Sequence, residues 1–351
     1  MFSQKTIILS TFGTILLACS SSPGTDDPAG STTSGGNTQA SGTTESGTTE
    51  SGTAESDTGG PSQSTTGGGD VTSGPGEGSS GGPDSGTVCY EEELHPEASI
   101  EDIVAEFGGS EHRQQVLEAV TRVWPGGRAY LEQNIDHVTY GNFTEEDSWS
   151  ENVFEFSRLM HEMHHVYYGV NDGTVYLNEG LIYELGEGSD ANGFPRGEIY
   201  DLIPDHFEAE GYVDIYFTGE QGQWKLNDLL DEWACYTAEL PISAIYDKYT
   251  EKGKMSIRDG TAAFAHFVQL YLRVAKEDHP EYFEEMKNDP LVVGVIRDNW
   301  LRMHYYLEMA DNYENAGIDD AIYRAELYKP ENLVALEELV GAKLGESHCT
   351  L

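Results

Sequence analysis

Cations are scarce in this 351-residue chain: 19 Lys and Arg stand against 62 Asp and Glu, a formal net charge of −43 at pH 7. A surface of that sign repels nucleic acid and anionic lipid headgroups, so no nucleic-acid partner is expected. Long apolar runs are lacking too. The one run near the start, Thr6 to Leu17, is too short for a resident transmembrane helix, and no later stretch is long and apolar enough for one. Cysteine is limited to four positions, 19, 89, 235 and 349. There is no P-loop, no Rossmann fingerprint, no G-x-S-x-G elbow and no Cys–His pair at a recognisable spacing. Nothing therefore points to nucleotide-dependent chemistry or to a serine or cysteine nucleophile.

What is present begins with an address. Lys5 precedes the Thr6–Leu17 run, which reads as a signal peptide over residues 1–18. It ends in Leu16-Leu17-Ala18-Cys19, which resembles the lipobox of bacterial lipoproteins. That resemblance implies cleavage before Cys19 and acylation of Cys19, so the protein would be lipid-anchored outside the cytoplasm; Ser20 favours the outer membrane. A plain secretory signal with a stray cysteine is the alternative. Residues 19–88 then consist almost wholly of Ser, Thr, Gly, Pro and acidic residues, with a short S-G-T-T-E repeat. Such a stretch buries nothing and predicts a disordered tether.

Residues 89–351 are enough for one domain with a real core. Helical spacing recurs after Ser99, after Ser110, from Arg128 to Ile135, and again over Asp228–Leu240, Thr261–Lys276 and Leu291–Tyr313. Strand-like pieces fall at Val175–Leu177, Leu181–Leu185 and Val213–Phe217. The expected class is α+β, predominantly α-helical. Cys89 opens the domain and Cys349 closes it, so a disulfide between them would tie its ends in an oxidising compartment. Cys235, inside a helical pattern, is then left as a small buried residue.

The chemistry sits in Leu159-Met160-His161-Glu162-Met163-His164-His165. Trp149, Phe156, Leu159, Met160 and Met163 supply an apolar face, Asp147 or Ser148 a cap, and Gly169 a stop. On that helix His161 and His165, four apart, lie on one face and can grip a single metal ion. Glu162 stands beside them, placed to take a proton from a water held there. This segment resembles the H-E-x-x-H helix of zincin-like metallopeptidases. The resemblance implies a zincin-like domain, a Zn2+ cofactor, and hydrolysis of a peptide or protein substrate.

A catalytic zinc also needs a third protein ligand. Two glutamates compete. Glu179 lies in Asn178-Glu179-Gly180, which looks like the N-E-G segment of aminopeptidase-type gluzincins but is equally a hairpin turn. Glu232 lies in Asp231-Glu232-Trp233-Ala234-Cys235-Tyr236, which resembles the second-helix motif of many gluzincins. We favour Glu232, since Glu232, Cys235 and Glu239 share one helical face and a small residue at 235 lets two helices approach. Tyr236 is within one turn of the site and is a candidate donor to the oxyanion, or a core residue. Two functions are open: a membrane-tethered zinc metallopeptidase, or a non-catalytic surface lipoprotein whose His cluster is a structural or degenerate metal site.

Overall fold

A computed structural model describes residues 87–108, 112–134, 148–186, 190–250 and 256–351. The signal segment, Cys19 and residues 19–86 of the expected tether lie outside the described residues. Within the described part the chain is predominantly α-helical with one small sheet. In order come α1 (Glu101–Ala105), α2 (His112–Val123), α3 (Pro125–Asn134), α4 (Trp149–Val170), β1 (Thr174–Asn178), β2 (Leu181–Glu184), α5 (Tyr212–Tyr216), α6 (Leu226–Glu239), α7 (Ser243–Tyr246), α8 (Ile257–Asp278), α9 (Pro280–Asn288), α10 (Pro290–Ala310), α11 (Asp320–Leu327) and α12 (Pro330–Val340). β1 and β2 pair antiparallel through the turn at Asn178–Gly180, where Asn178 Oδ1 accepts the Gly180 N–H.

α6 is the axis of the molecule. Thirteen of its fourteen residues are buried, all but Asp228, as befits a helix covered on every side. It packs between α4 and α8. One hydrophobic core surrounds α6, α8 and α10, with Leu230, Trp233, Phe264, Phe267, Trp300 and Leu307 among its members. A second lies beneath α2, α3 and α4, and contains Val120, Tyr130, Leu131, Phe156, Leu159 and Met163. The first and last described residues meet. Cys89 and Cys349 form a disulfide, and Tyr90 and Thr350 donate backbone N–H groups to His348 and Val88 across it. Val88, expected at the end of the tether, is already part of this ladder.

Three expectations are corrected. Val213–Phe217 is not a strand: Tyr212, Val213, Tyr216 and Phe217 are buried at helical spacing, and Gly211, at φ 75°, turns the chain into α5. The helix expected from Arg128 starts at Pro125, a residue suited to a first turn. It takes in Gly126 and Gly127 because side chains there would strike Glu92 and the Trp124 ring. Gly169 does not stop α4; the chain reverses later, through Asp172 at φ 51° and Gly173 at φ 83°.

Candidate metal centre

α4 is set by its two faces. Ser148 caps it, accepting the N–H of Glu151, while Phe156, Leu159, Met160 and Met163 are fully buried against the second core. Anchoring that face turns His161 and His165 towards α6. The helices cross closely because α6 presents the small Cys235 there, with no exposed surface. His161, His165 and Cys235 form a buried group whose ligand-type atoms all lie within 4.8 Å of one another.

The ring nitrogens of the two histidines have divided duties. His161 Nδ1 lies 2.9 Å from Glu239 Oε1, and His165 Nδ1 lies 2.7 Å from Asp231 Oδ2. A carboxylate can only accept, so each imidazole donates through Nδ1 and turns Nε2 away from that carboxylate. Those two Nε2 atoms face each other at 3.1 Å. Glu232 Oε2 closes the triangle, 3.6 Å from His161 Nε2 and 3.4 Å from His165 Nε2. Glu232 is 2 % exposed and Oε2 has no hydrogen-bond donor. Three buried ligand-type atoms therefore converge on one point, a geometry consistent with a cation held between them.

The triangle suits a metal ion. Tetrahedral ligands about 2.0–2.1 Å from zinc stand about 3.3 Å apart, in line with the observed edges. Two imidazoles and one carboxylate are a donor set that metal sites use, and carboxylates behind both histidines are the usual support for such ligands. Glu239 is itself held by the hydroxyl of Ser157, one turn before His161 on α4.

The electrostatics couple the same side chains. Burial alone would raise the carboxyl of Glu232, yet the charges and hydrogen bonds of His165 and His161 hold it well below its ordinary value. Burial alone would lower His165, yet Cys235, Glu232 and Asp231 drive it well above the ordinary histidine range. Cys235 is itself pushed up to about 12 by burial, so at neutral pH it is a thiol and the attraction comes from the carboxylates. A single proton shared at the triangle would be the alternative cation.

The remaining expected residues fall as follows. Glu162, next to the ligands, is 7 % exposed, and its Oε1 has no hydrogen-bond partner. Tyr236 packs edge-on against the His161 ring at 4.6 Å and stacks on Phe264 at 4.8 Å, its hydroxyl 3.5 Å from that of Tyr216. Gly260 on α8 makes room for it, since a Cβ there would sit 2.3 Å from the Tyr236 ring. Glu179 is exposed at the tip of the β1–β2 turn and takes no part in the triangle. Cys235 Sγ lies behind His165, 3.5 Å from Nδ1 and 3.9 Å from Asp231 Oδ1. It also lies within 4.8 Å of a ring nitrogen of His161.

No relative decides the matter. No family model, no curated protein and no solved structure matches this chain. The metal centre therefore rests on its own geometry.

Sequence reasoning missed Asp231 and the pairing of Glu239 with His161. The signal was there: on α6 positions 231, 235 and 239 are successive four-residue steps, so Asp231, Cys235 and Glu239 form one row beside Glu232.

Proposed function

We propose that the chain is a zinc-dependent metallopeptidase in which His161, His165 and Glu232 hold the ion and Glu162 is the general base. The observation that carries this reading is the convergence of two histidine Nε2 atoms and a buried carboxylate oxygen within 3.6 Å of each other. A zinc ion bound there supplies Lewis acidity, lowering the pKa of water towards neutrality and polarising an amide carbonyl. Asp231 and Glu239 fix the tautomer and direction of the two imidazoles. Glu162, one residue along the helix, takes the proton from the attacking water and passes it to the leaving amine. Its Oε1 is not tied up in another hydrogen bond, which keeps it available for that transfer. Tyr236 is the candidate donor to the oxyanion.

A second reading, a structural or degenerate metal site on a non-catalytic lipoprotein, is favoured by one observation: His161, Glu162, His165 and Glu232 are all buried. Glu162→Gln separates the two. Hydrolysis of a generic peptide library should disappear in the variant while its zinc content stays at the parent's level. A parent that carries stoichiometric zinc and cleaves nothing, in any member of the library, sinks the enzyme reading.

The reading includes a location. Among the described residues no helix is long and apolar enough to cross a membrane, so attachment is proposed through a lipid on Cys19, outside the cytoplasm. The support is the Lys5, apolar run and Leu16-to-Cys19 series, and bacterial outer-membrane sorting follows from Ser20. Fractionation tests it: Cys19→Ala should leave an unprocessed, unlipidated chain, and a variant processed and membrane-bound like the parent ends the idea.

A further inference from the structure

A cavity lies against α4, away from the proposed general base. With 3.6 residues per turn, His164 sits about 80° round the helix from the midline between His161 and His165, and Glu162 about 80° the other way. The cavity, about 340 Å3, is walled by α3, by the β1–β2 turn and by Arg302 of α10.

Three lining side chains are buried, and each keeps one polar atom without a hydrogen-bond partner. His164 donates Nδ1–H to the Met160 carbonyl at 3.1 Å, which leaves Nε2 as an acceptor, and that atom has no partner. The indole N–H of Trp124 has none either, and Trp124 is 2 % exposed. Arg302, 1 % exposed, lies against the Tyr306 ring and reaches the Ala234 carbonyl and Asn299 Oδ1 only at 3.5 Å; its Nε–H has no acceptor. Buried polar groups in folded proteins are answered by some partner, and here the three line one space. Gly126 widens it. A Cβ there would meet Glu92 Oε1 at 2.3 Å and the Trp124 indole nitrogen at 3.3 Å, so the glycine lets a carboxylate and an indole N–H share one wall.

Charge selects the occupant. Arg302 and the Trp124 N–H call for an acceptor, preferably an anionic one. Glu92, Glu93 and Glu179 line the same cavity and call for a cation, as does the bare Nε2 of His164. A simple anion would face three carboxylates. A simple cation would stand against the guanidinium and leave the two N–H donors unanswered. We propose that this cavity binds a small zwitterion, a free α-amino acid or a short peptide, with its carboxylate towards Arg302 and Trp124 and its ammonium towards His164 and the acidic rim. The volume is at the lower end of ordinary ligand sites and suits one or two residues.

Calorimetric titration of the full chain carrying Glu162→Gln, which leaves peptides uncut, tests this with leucine, a leucine-containing dipeptide, the matching amine without carboxylate and the matching acid without ammonium. Leucine or the dipeptide should bind saturably, and the amine and the acid at least about tenfold more weakly. Trp124→Phe keeps the ring but removes the N–H, Ala129→Leu fills the cavity, and Glu179→Gln changes only an exposed turn. Each should weaken binding roughly tenfold. Zinc content should be unchanged in all three, so failure here is distinct from failure of the metal centre. No saturable binding up to about 10 mM, undiminished binding in Ala129→Leu and Glu179→Gln, or an amine that binds as tightly as the amino acid would overturn the proposal.

Discussion

Asp231→Asn tests the metal centre through a residue that never touches the ion. Asp231 Oδ2 accepts from His165 Nδ1 at 2.7 Å, and both side chains are buried. Asparagine keeps the shape and, through its amide oxygen, the acceptor; only the negative charge goes. Loss of such a partner lowers metal affinity about 10–100-fold, or about 1.4–2.7 kcal/mol. The readout is thermal unfolding with and without zinc. At a free zinc concentration 100 times the parent Kd, binding adds about 2.7 kcal/mol to the folded state. At the same concentration the variant would gain about 1.4 kcal/mol for a tenfold loss and about 0.4 kcal/mol for a hundredfold loss. In a domain of this class each kcal/mol moves Tm by about 2–4 °C. The zinc-induced rise should therefore fall from about 5–11 °C in the parent to about 1–6 °C in the variant. Glu239→Gln should do the same through His161. Identical zinc-induced shifts in parent and both variants would refute the reasoning, because the carboxylates would then be bystanders.

Glu232→Ala should abolish tight zinc binding in equilibrium dialysis, while Glu179→Ala on the exposed turn leaves it near the parent's; the reverse result would move the third ligand to the turn. Acid stability should carry the mark of His266, which is 1 % exposed and pushed down to about 4 by burial. A histidine depressed in the folded state binds its proton first in the unfolded chain, so the stability it confers is present above about pH 6.5 and falls, by up to about 1.4 kcal/mol per pH unit, until about pH 4. Denaturant titrations over that range should show the parent losing stability faster than His266→Gln, and parallel curves would rule the assignment out.

Much of the centre was legible because helices make it. A four-residue step is a contact on any helix, so His161 and His165 could be placed together, and Glu232, Cys235 and Glu239 on one face, with no knowledge of the fold. Long helices such as α4, α6 and α8 repeat their apolar period often enough to be found. Short elements do not: α5 has five residues, and Val213-Asp214-Ile215-Tyr216-Phe217 alternates like a strand until Gly211 and the burial of Tyr212 reveal a turn of helix. The partners behind the histidines were illegible for a different reason. Asp231 and Glu239 acquire their roles only when α6 lies across α4; the row they form with Cys235 is visible locally, but which helix that row faces is not. Glu179 shows the converse, since a motif-like neighbourhood resolved into a hairpin turn with its glutamate in solvent.

The Cys89–Cys349 link, with the backbone ladder beside it, fixes how the domain meets mechanical load. A pull transmitted along the chain into Val88 and Cys89 arrives at a covalent bond to the other end of the polypeptide. The strain passes at once to Cys349 and the segment before it, so the fold is gripped at both ends together. Unravelling from the N-terminal side, the ordinary route for a domain held by one end, would first have to break a sulfur–sulfur bond. Between those cysteines the polypeptide is a closed loop, and any force applied upstream of it moves the domain as one body, leaving α4 and α6 in register across the metal centre.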